Sequence, residues 1–547
     1  MKSLLSTILL VLLAFTSKSQ PLDQTKILAL DTELKRHSEG VSPGLAIGIV
    51  KDGEVVYESY RGYANLEHEV PIDETTRFNI ASNAKQFNAL CILKLVEEGS
   101  IRLEDDFRKF LPDYLPEIKA PIQISHLLSH TSGIRDVYDL WALQGKTWWQ
   151  EFVGNKEALE LLRKQKELNF EPGSAYLYSN SNYILLTEII QKVSDTDFAA
   201  FSLQLFESMG MTNTAFLTNY MEVVPNRARP YGNWNGWKEY PSITEIHGDG
   251  GLFTTLKDQL IWERIIQNNR GNIVSQHIVN ESQKRINTPN SEAYGYGLMF
   301  GTYKNVNYCY HDGNTGAYNA TFLRFPEQKT AIIVLSNSGS VPTNYVAKQV
   351  ATIVLGLNMA ETTFPAGPST VTKNFTNNDA IGYYSSDDGN IIRITQKNDT
   401  LYRNIYQRDP VRLFQENGSV YHYESNNNLK MAFDTSTNVK GFTIYLASQA
   451  PISYKKLPPF EASPSYLTSM EGQFYNQETD TQIKIEHLKG TSYQITKNDR
   501  TREAELTYKD LLQMNDYRIQ VERNAANKVN GLRIDHGRIK NVKFEKM

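Results

Sequence analysis

The spacing of apolar and polar residues changes its period along the chain, and the period predicts the element that each stretch forms. Residues 24–38 place apolar positions at helical spacing, and residues 88–96 do the same. Between them, two strand-like runs at 44–50 and 55–60 flank the polar turn at 51–54. The N-terminal part of the chain therefore predicts a helix, a β-hairpin and a second helix.

Helical patterns dominate the middle of the chain, and strand patterns return near residue 320. The runs 320–325 and 331–335 are strand-like, and a helical pattern follows at 344–355. Strands at both ends with helices between them are typical of an α+β domain. We expect a five-strand antiparallel sheet built from the two ends of this region.

An internal repeat occupies the C-terminal part, after a Thr-, Pro- and Gly-rich stretch at 361–374 that we interpret as a linker. Both copies alternate apolar and polar residues between turn signals, which predicts two small antiparallel β-barrels at 375–460 and 465–547. Three landmarks recur at the same offset of 90 residues: Gly382-Tyr383-Tyr384 and Gly472-Gln473-Phe474, Gly441-Phe442 and Gly531-Leu532, and Tyr454-Lys455-Lys456 and Phe544-Glu545-Lys546.

Composition narrows the class of protein. The chain has 547 residues, 40% of them hydrophobic and 22% charged, which is typical of a protein with two to four globular domains. Its net charge is −4, and no basic stripe with interleaved aromatic residues is present. We therefore expect no nucleic-acid partner.

The N-terminus predicts export. Lys2 precedes an apolar run at 4–15 and small residues at 16–20, as in a signal peptide that ends near residue 20. The run is short for a membrane span, and no Cys ends it, so a lipoprotein anchor is not indicated. An uncleaved N-terminal anchor is the alternative. We expect a periplasmic or secreted protein without a transmembrane segment after cleavage.

The two cysteines and a pair of histidines are candidate structural or metal-binding residues. Cys91 and Cys309 exclude a disulfide scaffold; a single bridge is possible, but two buried thiols fit better. His126 and His130 are four residues apart, but no Glu stands between them and no third ligand is evident. We expect core or loop-stapling histidines, no metal and no cofactor.

The stretch that carries chemistry is Ser82-x-x-Lys85. If a helix starts near Ser82, the hydroxyl lies at the positive end of the helix dipole and Lys85 lies one turn away on the same face. Burial would then lower the pKa of the lysine toward that of a usable base. By itself the motif is weak, because serine is also a common N-cap residue.

Two further motifs follow in order, Tyr178-Ser179-Asn180 and His311-Asp312-Gly313. With Ser82-x-x-Lys85 they resemble the serine penicillin-recognising superfamily, which includes class C β-lactamases, D,D-peptidases, D-aminopeptidases and related esterases. The resemblance covers residues 25–357. It implies a β-lactamase/transpeptidase-like catalytic domain at 21–360, with an antiparallel sheet flanked by helices and a helical lobe.

The resemblance also implies roles for the motif residues. Ser82 would attack a carbonyl and form an acyl-enzyme. Tyr178 near Lys85 would relay protons, its phenol pKa lowered by the cation, and Asn180 would bind the substrate amide. We predict these catalytic residues: Ser82, Lys85, Tyr178, Asn180 and His311. We predict these substrate-binding or oxyanion residues: Ser82, Gly313, Asn314 and Asp312, with the backbone N–H groups of Ser82 and Asn314 as the oxyanion hole.

His311 differs from the residue that is typical of β-lactamases at this position, and the difference bears on function. Lysine is typical of β-lactamases at this position, where its charge holds a substrate carboxylate, whereas histidine is mostly neutral near pH 7. Asp312 beside it disfavours an anion further. Histidine here, with a duplicated barrel, resembles the D-aminopeptidases and their lipocalin-like barrels.

The sequence thus predicts an exported serine hydrolase that acts on small D-amino-acid peptides, amides or esters. A D,D-carboxypeptidase, a β-lactamase-type enzyme or an esterase is the alternative, and a non-catalytic envelope binder is a remote one. The physiological substrate, the stereochemical preference, the oligomeric state and the role of the barrels stay open. The position of Trp141, Trp148 and Trp149 also stays open, because they would line either the pocket or a core.

Overall fold

The computed structural model describes residues 21–547 except 148–149, 241–242, 270–272, 288–293, 358–374, 388, 424–425, 435–438 and 447–450. The predicted signal peptide, the predicted linker, Trp148 and Trp149 lie outside the described residues. The chain forms two compact units. The first contains Met1–Arg102, Leu186–Asn287 and Glu292–Asn358, and the second contains Leu103–Leu185, Thr288–Ser291 and Met359–Met547.

The helices follow the predicted patterns closely, with two short 3₁₀ turns at Ala81–Ala84 and Phe107–Lys109. In chain order the α-helices are α1 Gln24–Lys35, α2 Lys85–Glu97, α3 Ile124–Leu128, α4 Val137–Gln144, α5 Asn155–Arg163, α6 Asn180–Ser194, α7 Phe198–Ser208, α8 Leu256–Gln267, α9 Gln276–Ser282, α10 Thr343–Leu355, α11 Asn377–Ala380 and α12 Pro464–Thr468.

The strands fall into a large sheet, several small ladders and two barrels. In chain order they are β1 Leu45–Lys51, β2 Glu54–Arg61, β3 Tyr63–Asn65, β4 Val70–Pro71, β5 Phe78–Asn79, β6 Ala215–Phe216, β7 Tyr231–Asn233, β8 Trp237–Glu239, β9 Leu252–Thr254, β10 Met299–Tyr303, β11 Val306–Thr315, β12 Tyr318–Phe325, β13 Thr330–Ser336, β14 Gly382–Ser386, β15 Ile391–Lys397, β16 Thr400–Asn404, β17 Val411–Asn417, β18 Val420–Tyr423, β19 Asn426–Phe433, β20 Gly441–Leu446, β21 Ile452–Lys456, β22 Gly472–Asn476, β23 Thr481–Lys489, β24 Ser492–Lys497, β25 Arg500–Tyr508, β26 Leu511–Met514, β27 Tyr517–Arg523, β28 Val529–His536 and β29 Ile539–Lys546.

The large sheet of the first unit has six antiparallel strands in the order β10-β11-β12-β13-β1-β2. Strand β13 lies in its interior, and all of its residues are buried, as its continuous apolar run predicts. The ends of the region do meet in one sheet, since β1 pairs with β13. The predicted count of five strands is wrong, because the half-exposed β10 adds a sixth.

Helices cover both faces of this sheet. On one face, apolar residues of α1 and α10, such as Leu34 and Val350, pack in one core with Ile47 and Val334 of the sheet. On the other face α8 approaches β1 at Gly48, where a Cβ would lie 2.7 Å from the Leu260 side chain. The absence of a side chain there lets α8 pack closely on the sheet.

The repeat forms two closed antiparallel barrels of eight strands each, β14–β21 and β22–β29, as predicted. The repeated landmarks occupy equivalent places. Gly382 and Gly472 open the first strands, and Tyr454 and Phe544, in the last strands, are buried in the barrel interiors. Alternate residues point inward, for example Phe474, Ile483 and Ile485 in the second barrel.

Cys91 and Cys309 are buried free thiols, so the bridge considered from the sequence is not formed. Burial raises the pKa of Cys91 to about 12 and that of Cys309 to about 11, so both thiols stay protonated at neutral pH. In the part of the chain that the structure describes, no helix has both the length and the apolarity that a membrane crossing needs.

Candidate active site

Ser82 lies in a 3₁₀ turn, and the α-helix begins three residues later, at Lys85. The expectation that the helix itself starts near Ser82 is therefore wrong by about one turn. The turn is tight: Ala81 has a φ of +48°, which is unusual for a residue with a Cβ, and its N–H donates to Asn79 Oδ1. Backbone strain of this kind is common where a nucleophile must be presented.

Neighbouring strands hold this turn in place. The Ile80 N–H donates to the Leu252 carbonyl of β9, and Asn83 Nδ2 donates to the Ala320 carbonyl of β12 at 3.2 Å. The turn that carries the half-buried Ser82 is thus held by two sheets. Such anchoring reduces the reorganisation that a reacting nucleophile would otherwise need.

Lys85 contacts the hydroxyl of this turn. Its side chain is fully buried, and Nζ lies 3.2 Å from Ser82 Oγ and 2.7 Å from the Asp249 carbonyl oxygen. The sequence prediction that Lys85 is desolvated and one turn from the hydroxyl is confirmed. An amine at this distance is positioned to exchange a proton with the hydroxyl.

A buried polar network fixes the helix that carries Lys85. Gln86 Oε1 accepts from Trp262 Nε1 at 3.0 Å and from Arg324 Nη2 at 2.7 Å. Arg324 also forms a buried ion pair with Glu263, with the shortest N–O distance at 2.6 Å. Because each charge is compensated, the network ties α2 to α8 and β12 without leaving an isolated charge in the interior.

The His311-Asp312-Gly313 motif lies on β11, which is the second strand of the sheet. However, β10 pairs with β11 only as far as Tyr310, so the motif lies beyond the end of that ladder. Gly313 faces the turn that carries Ser82, because a Cβ on it would be 2.1 Å from the Ile80 carbonyl oxygen. Glycine is required there by the close approach of the turn itself.

His311 is buried and neutral. Burial, with a smaller contribution from the nearby Lys85 charge, lowers the pKa of His311 to about 3. Nδ1 lies 2.7 Å from the Asp312 carbonyl oxygen, so it carries the proton, and Nε2 accepts from the Tyr294 hydroxyl at 3.1 Å. A neutral, hydrogen-bonded imidazole therefore stands where lysine is typical of β-lactamases.

On β11, Asp312 lies between His311 and Gly313, and Asn314 follows Gly313. The Asp312 carboxylate accepts from Thr321 Oγ1 at 2.7 Å and from Asn344 Nδ2 of α10. It thus joins β11 to α10. The Asn314 side chain is exposed and donates to Asn319 Oδ1 of β12.

Tyr178 and Asn180 belong to the second unit, where Asn180 begins α6. Asn180 is buried, and both its backbone N–H and its Nδ2 donate to Asp136 Oδ2, at 2.6 and 3.0 Å. The half-buried Tyr178 ring packs on the His130 ring with 4.2 Å between the centroids. The turn is therefore held on both sides by groups from the segment 130–136.

His130 and Asp136 were missed as contributors to the site. His130 Nδ1 accepts from the Ser179 N–H at 3.2 Å, which confirms the loop-stapling interpretation of this histidine. Asp136 is fully buried, and its other oxygen accepts from the Tyr138 N–H to cap α4. Among the described residues, no group of three or more His, Cys, Asp or Glu side chains is arranged to hold a metal ion.

Comparison with known proteins identifies the family. The family model described as Beta-lactamase matches residues 30–354, which is more than half of the chain. The chain therefore belongs to the beta-lactamase family of serine hydrolases. The match contains the three motifs that carry the resemblance, and it ends before the two barrels.

Curated relatives include D-aminopeptidases. The one from Gluconobacter oxydans (strain 621H) is 28% identical over 329 residues, which are 58% of this chain and 59% of the relative. Protein flp of Staphylococcus aureus (strain N315) is 30% identical over 335 residues, 57% of this chain and 62% of the relative. The chain thus spans about three-fifths of the length of the curated relatives it matches.

Solved structures share the fold. The octameric penicillin-binding protein homologue from Pyrococcus abyssi superposes with a TM-score of 0.55 at 26% identity, covering 79% of this chain and 98% of that one. D-amino acid amidase from Ochrobactrum anthropi SV3 gives a TM-score of 0.51 at 21% identity, covering 61% and 99%. The second likeness concerns the fold alone.

Proposed function

We propose that this protein is an exported serine hydrolase that forms an acyl-enzyme on Ser82 and acts on small peptides, amides or esters of D-amino acids. The observation that carries the proposal is the fully buried Lys85 amine 3.2 Å from the Ser82 hydroxyl, in a turn held by two sheets. Tyr178 is proposed to join this pair, because its motif occurs in the order and context typical of the family.

The proposed reaction uses the three groups in sequence. Ser82 Oγ bonds to the substrate carbonyl carbon while its proton passes to Lys85, and the carbonyl oxygen becomes an oxyanion. Backbone N–H groups of Ser82 and Asn314 stabilise that oxyanion. The bond to the leaving group breaks as Tyr178 delivers a proton to it, and water then hydrolyses the ester on Ser82.

His311 bears on the substrate class. A D,D-carboxypeptidase or a β-lactamase must hold a substrate carboxylate, and a fixed cation does this best. The His311 imidazole is neutral, and its nitrogens are near the Asp312 carbonyl and the Tyr294 hydroxyl. This favours substrates whose acyl part is a D-amino acid without a free carboxylate next to the scissile bond.

The relatives support the same substrate class, since two curated relatives from different organisms are D-aminopeptidases. A steady-state comparison on the full mature chain tests the proposal. The substrates are D-alanine amide, L-alanine amide, an N-acylated D-Ala-D-Ala peptide, nitrocefin and a p-nitrophenyl ester. We expect kcat/KM to be highest for the D-alanine amide and to be lost in Ser82→Ala.

Each other outcome contradicts a defined part of the proposal. A preference for the D-Ala-D-Ala peptide or nitrocefin would replace it with the carboxypeptidase or β-lactamase alternative. A preference for the ester without stereoselectivity would make the protein an esterase. If folded protein turned over none of the substrates and a fluorophosphonate failed to label it, a non-catalytic envelope binder would be the better account.

Export is a separate proposal, supported by the N-terminal charge and apolar pattern. Expression of the full chain in a Gram-negative host, followed by fractionation and N-terminal sequencing, tests it. We expect periplasmic or secreted protein that starts near residue 21. Uncleaved protein in the membrane fraction would support the anchor alternative instead.

A further inference from the structure

The second barrel and the segment 103–185 belong to the same compact unit. A β-hairpin of the barrel contacts the Tyr178 ring through Arg538. The hairpin joins β28 to β29 through two residues, Gly537 and Arg538. Gly537 has a φ of +48°, and a Cβ on it would lie 2.7 Å from Asp139 Oδ2. The hairpin tip therefore fits closely against the first turn of α4.

Arg538 makes three polar contacts with two carboxylates there. Its backbone N–H and Nε donate to Asp139 Oδ2 at 2.7 and 3.0 Å, and Nη2 lies 3.1 Å from Asp136 Oδ1. Asp136 is fully buried, so its carboxylate needs a compensating charge. The other oxygen of that carboxylate, Oδ2, accepts from the backbone N–H and from the side-chain Nδ2 of Asn180.

The guanidinium also faces the Tyr178 ring, with Cζ 5.9 Å from the ring centroid. A cation at this distance is attracted to the ring and favours negative charge on the phenol oxygen. Burial by itself lowers the pKa of Arg538, but the two aspartates and Tyr178 outweigh it and raise that pKa, so the guanidinium keeps its charge at every relevant pH.

The hairpin is clamped so that Arg538 stays in this place. Asn169 Nδ2 donates to the Arg538 carbonyl at 3.0 Å, and Asn169 Oδ1 accepts from the Lys540 N–H at 2.7 Å. Arg135, whose side chain is fully buried, donates to the carbonyls of Lys540 and Asn541 and pairs with Glu478. Such an interface fixes side-chain geometry more tightly than an exposed ion pair does.

The first copy of the repeat lacks this pair of residues. The offset of 90 residues holds on both sides of the hairpin, at Gly441 and Gly531 and at Tyr454 and Phe544. By this offset the first copy has Ala447 and Ser448 where the second has Gly537 and Arg538. The Gly-Arg tip is therefore specific to the copy that contacts the Tyr178 turn.

We propose that Arg538 is a positioning residue for the hydrolase reaction, through which the second barrel orients Asn180 by way of Asp136 and favours the ionised form of Tyr178. This rests on the proposed function for its effect on turnover. The contact of Arg538 with Tyr178 does not depend on the proposed function, so it can be tested without substrate.

The test uses full-length protein with Arg538→Gln and Arg538→Lys, and Arg533→Gln as the matched control. Arg533 comes from the same barrel face and pairs with Glu167 across the same interface, and its side chain is 29% exposed against 32% for Arg538. Neither Asp136 nor Tyr178 is among the Arg533 partners. Thermal unfolding of all variants establishes that they fold.

We expect kcat/KM of Arg538→Gln to fall by about 10- to 100-fold, mainly through kcat, because misplaced catalytic groups cost this much. The alkaline limb of its pH profile, where Tyr178 loses the proton that it delivers to the leaving group, should move up by roughly half a pH unit or more. Arg538→Lys should recover part of both effects, and Arg533→Gln should leave both unchanged. Equal effects of Arg538→Gln and Arg533→Gln would overturn the proposal, because they would indicate a role in docking only.

A second readout is independent of catalysis. Fluorotyrosine is placed at position 178 alone, and its ¹⁹F resonance is titrated with pH in the wild-type and Arg538→Gln backgrounds without substrate. We expect the titration midpoint to rise in Arg538→Gln, and an unchanged midpoint and chemical shift would overturn the proposal. If the midpoint moved while Ser82→Ala kept full activity, the contact would stand and the proposed function would fail.

Discussion

The buried His311 makes a quantitative prediction about acid stability. Its pKa falls from 6.5 to about 3 in the folded chain, chiefly because burial removes water from the charged form. Between these two values the unfolded chain binds a proton that the folded chain does not. The free energy of unfolding must therefore rise with pH between about 3 and 6.5 and reach a plateau above pH 6.5. This contribution is lost as the pH falls below 6.5.

The size of the effect follows from the two pKa values. The slope contributed by one such group approaches about 1.4 kcal/mol per pH unit. Integrated from pH 7 to pH 5, with 6.5 for the unfolded chain and about 3 for the folded one, the loss is about 2 kcal/mol. His311→Gln should lack this part of the loss, because glutamine does not titrate.

Urea unfolding of wild type and His311→Gln at pH 5 and pH 7 measures this difference. The variant will be less stable at pH 7, since it disturbs the contact with Tyr294, but it should lose about 2 kcal/mol less than wild type on going to pH 5. His68→Gln, which changes an exposed histidine, is the control and should keep the wild-type pH dependence. Parallel pH dependence in wild type and His311→Gln would refute a buried neutral His311.

Two further substitutions test the packing around the site. Gly313→Ala should reduce kcat/KM by about 100-fold with little change in fold, because its Cβ would lie 2.1 Å from the Ile80 carbonyl and must displace the turn that carries Ser82. Near-native turnover would show that the turn tolerates the shift. Arg324→Leu should lower the free energy of unfolding by about 3–5 kcal/mol, because it leaves Glu263 buried and uncompensated. An exposed pair offers the comparison, since Lys455→Leu, opposite Asp387, should leave the urea-unfolding midpoint close to that of wild type.

Features with local causes were predicted well from the sequence. The hairpin of β1 and β2 follows from two apolar runs around a polar turn, and the two barrels follow from landmarks that repeat with one offset. The burial of Lys85 follows from the apolar positions around it on α2. In each case the pattern lies within a few residues or recurs regularly.

Features that depend on residues far apart in the sequence were not predicted. Strand β10 carries a half-exposed Met-Phe-Gly-Thr-Tyr sequence without alternation, and its pairing with β11 is what makes it a strand. The 3₁₀ turn at Ser82 depends on a positive φ at Ala81, a residue type that gives no signal for it. Arg538 meets Asp139 across 399 residues of sequence, and no local pattern records such a contact.

The central claim is that Ser82 and Lys85 form the reactive centre, and mass spectrometry of the acylated protein tests it most directly. Folded mature protein is mixed with a D-alanine ester or a penicillin, quenched in acid and digested. We predict an acyl adduct on the peptide that contains Ser82, no adduct in Ser82→Ala, and acylation slowed by several orders of magnitude in Lys85→Ala. An adduct at another residue, or unchanged acylation in Lys85→Ala, would contradict the account.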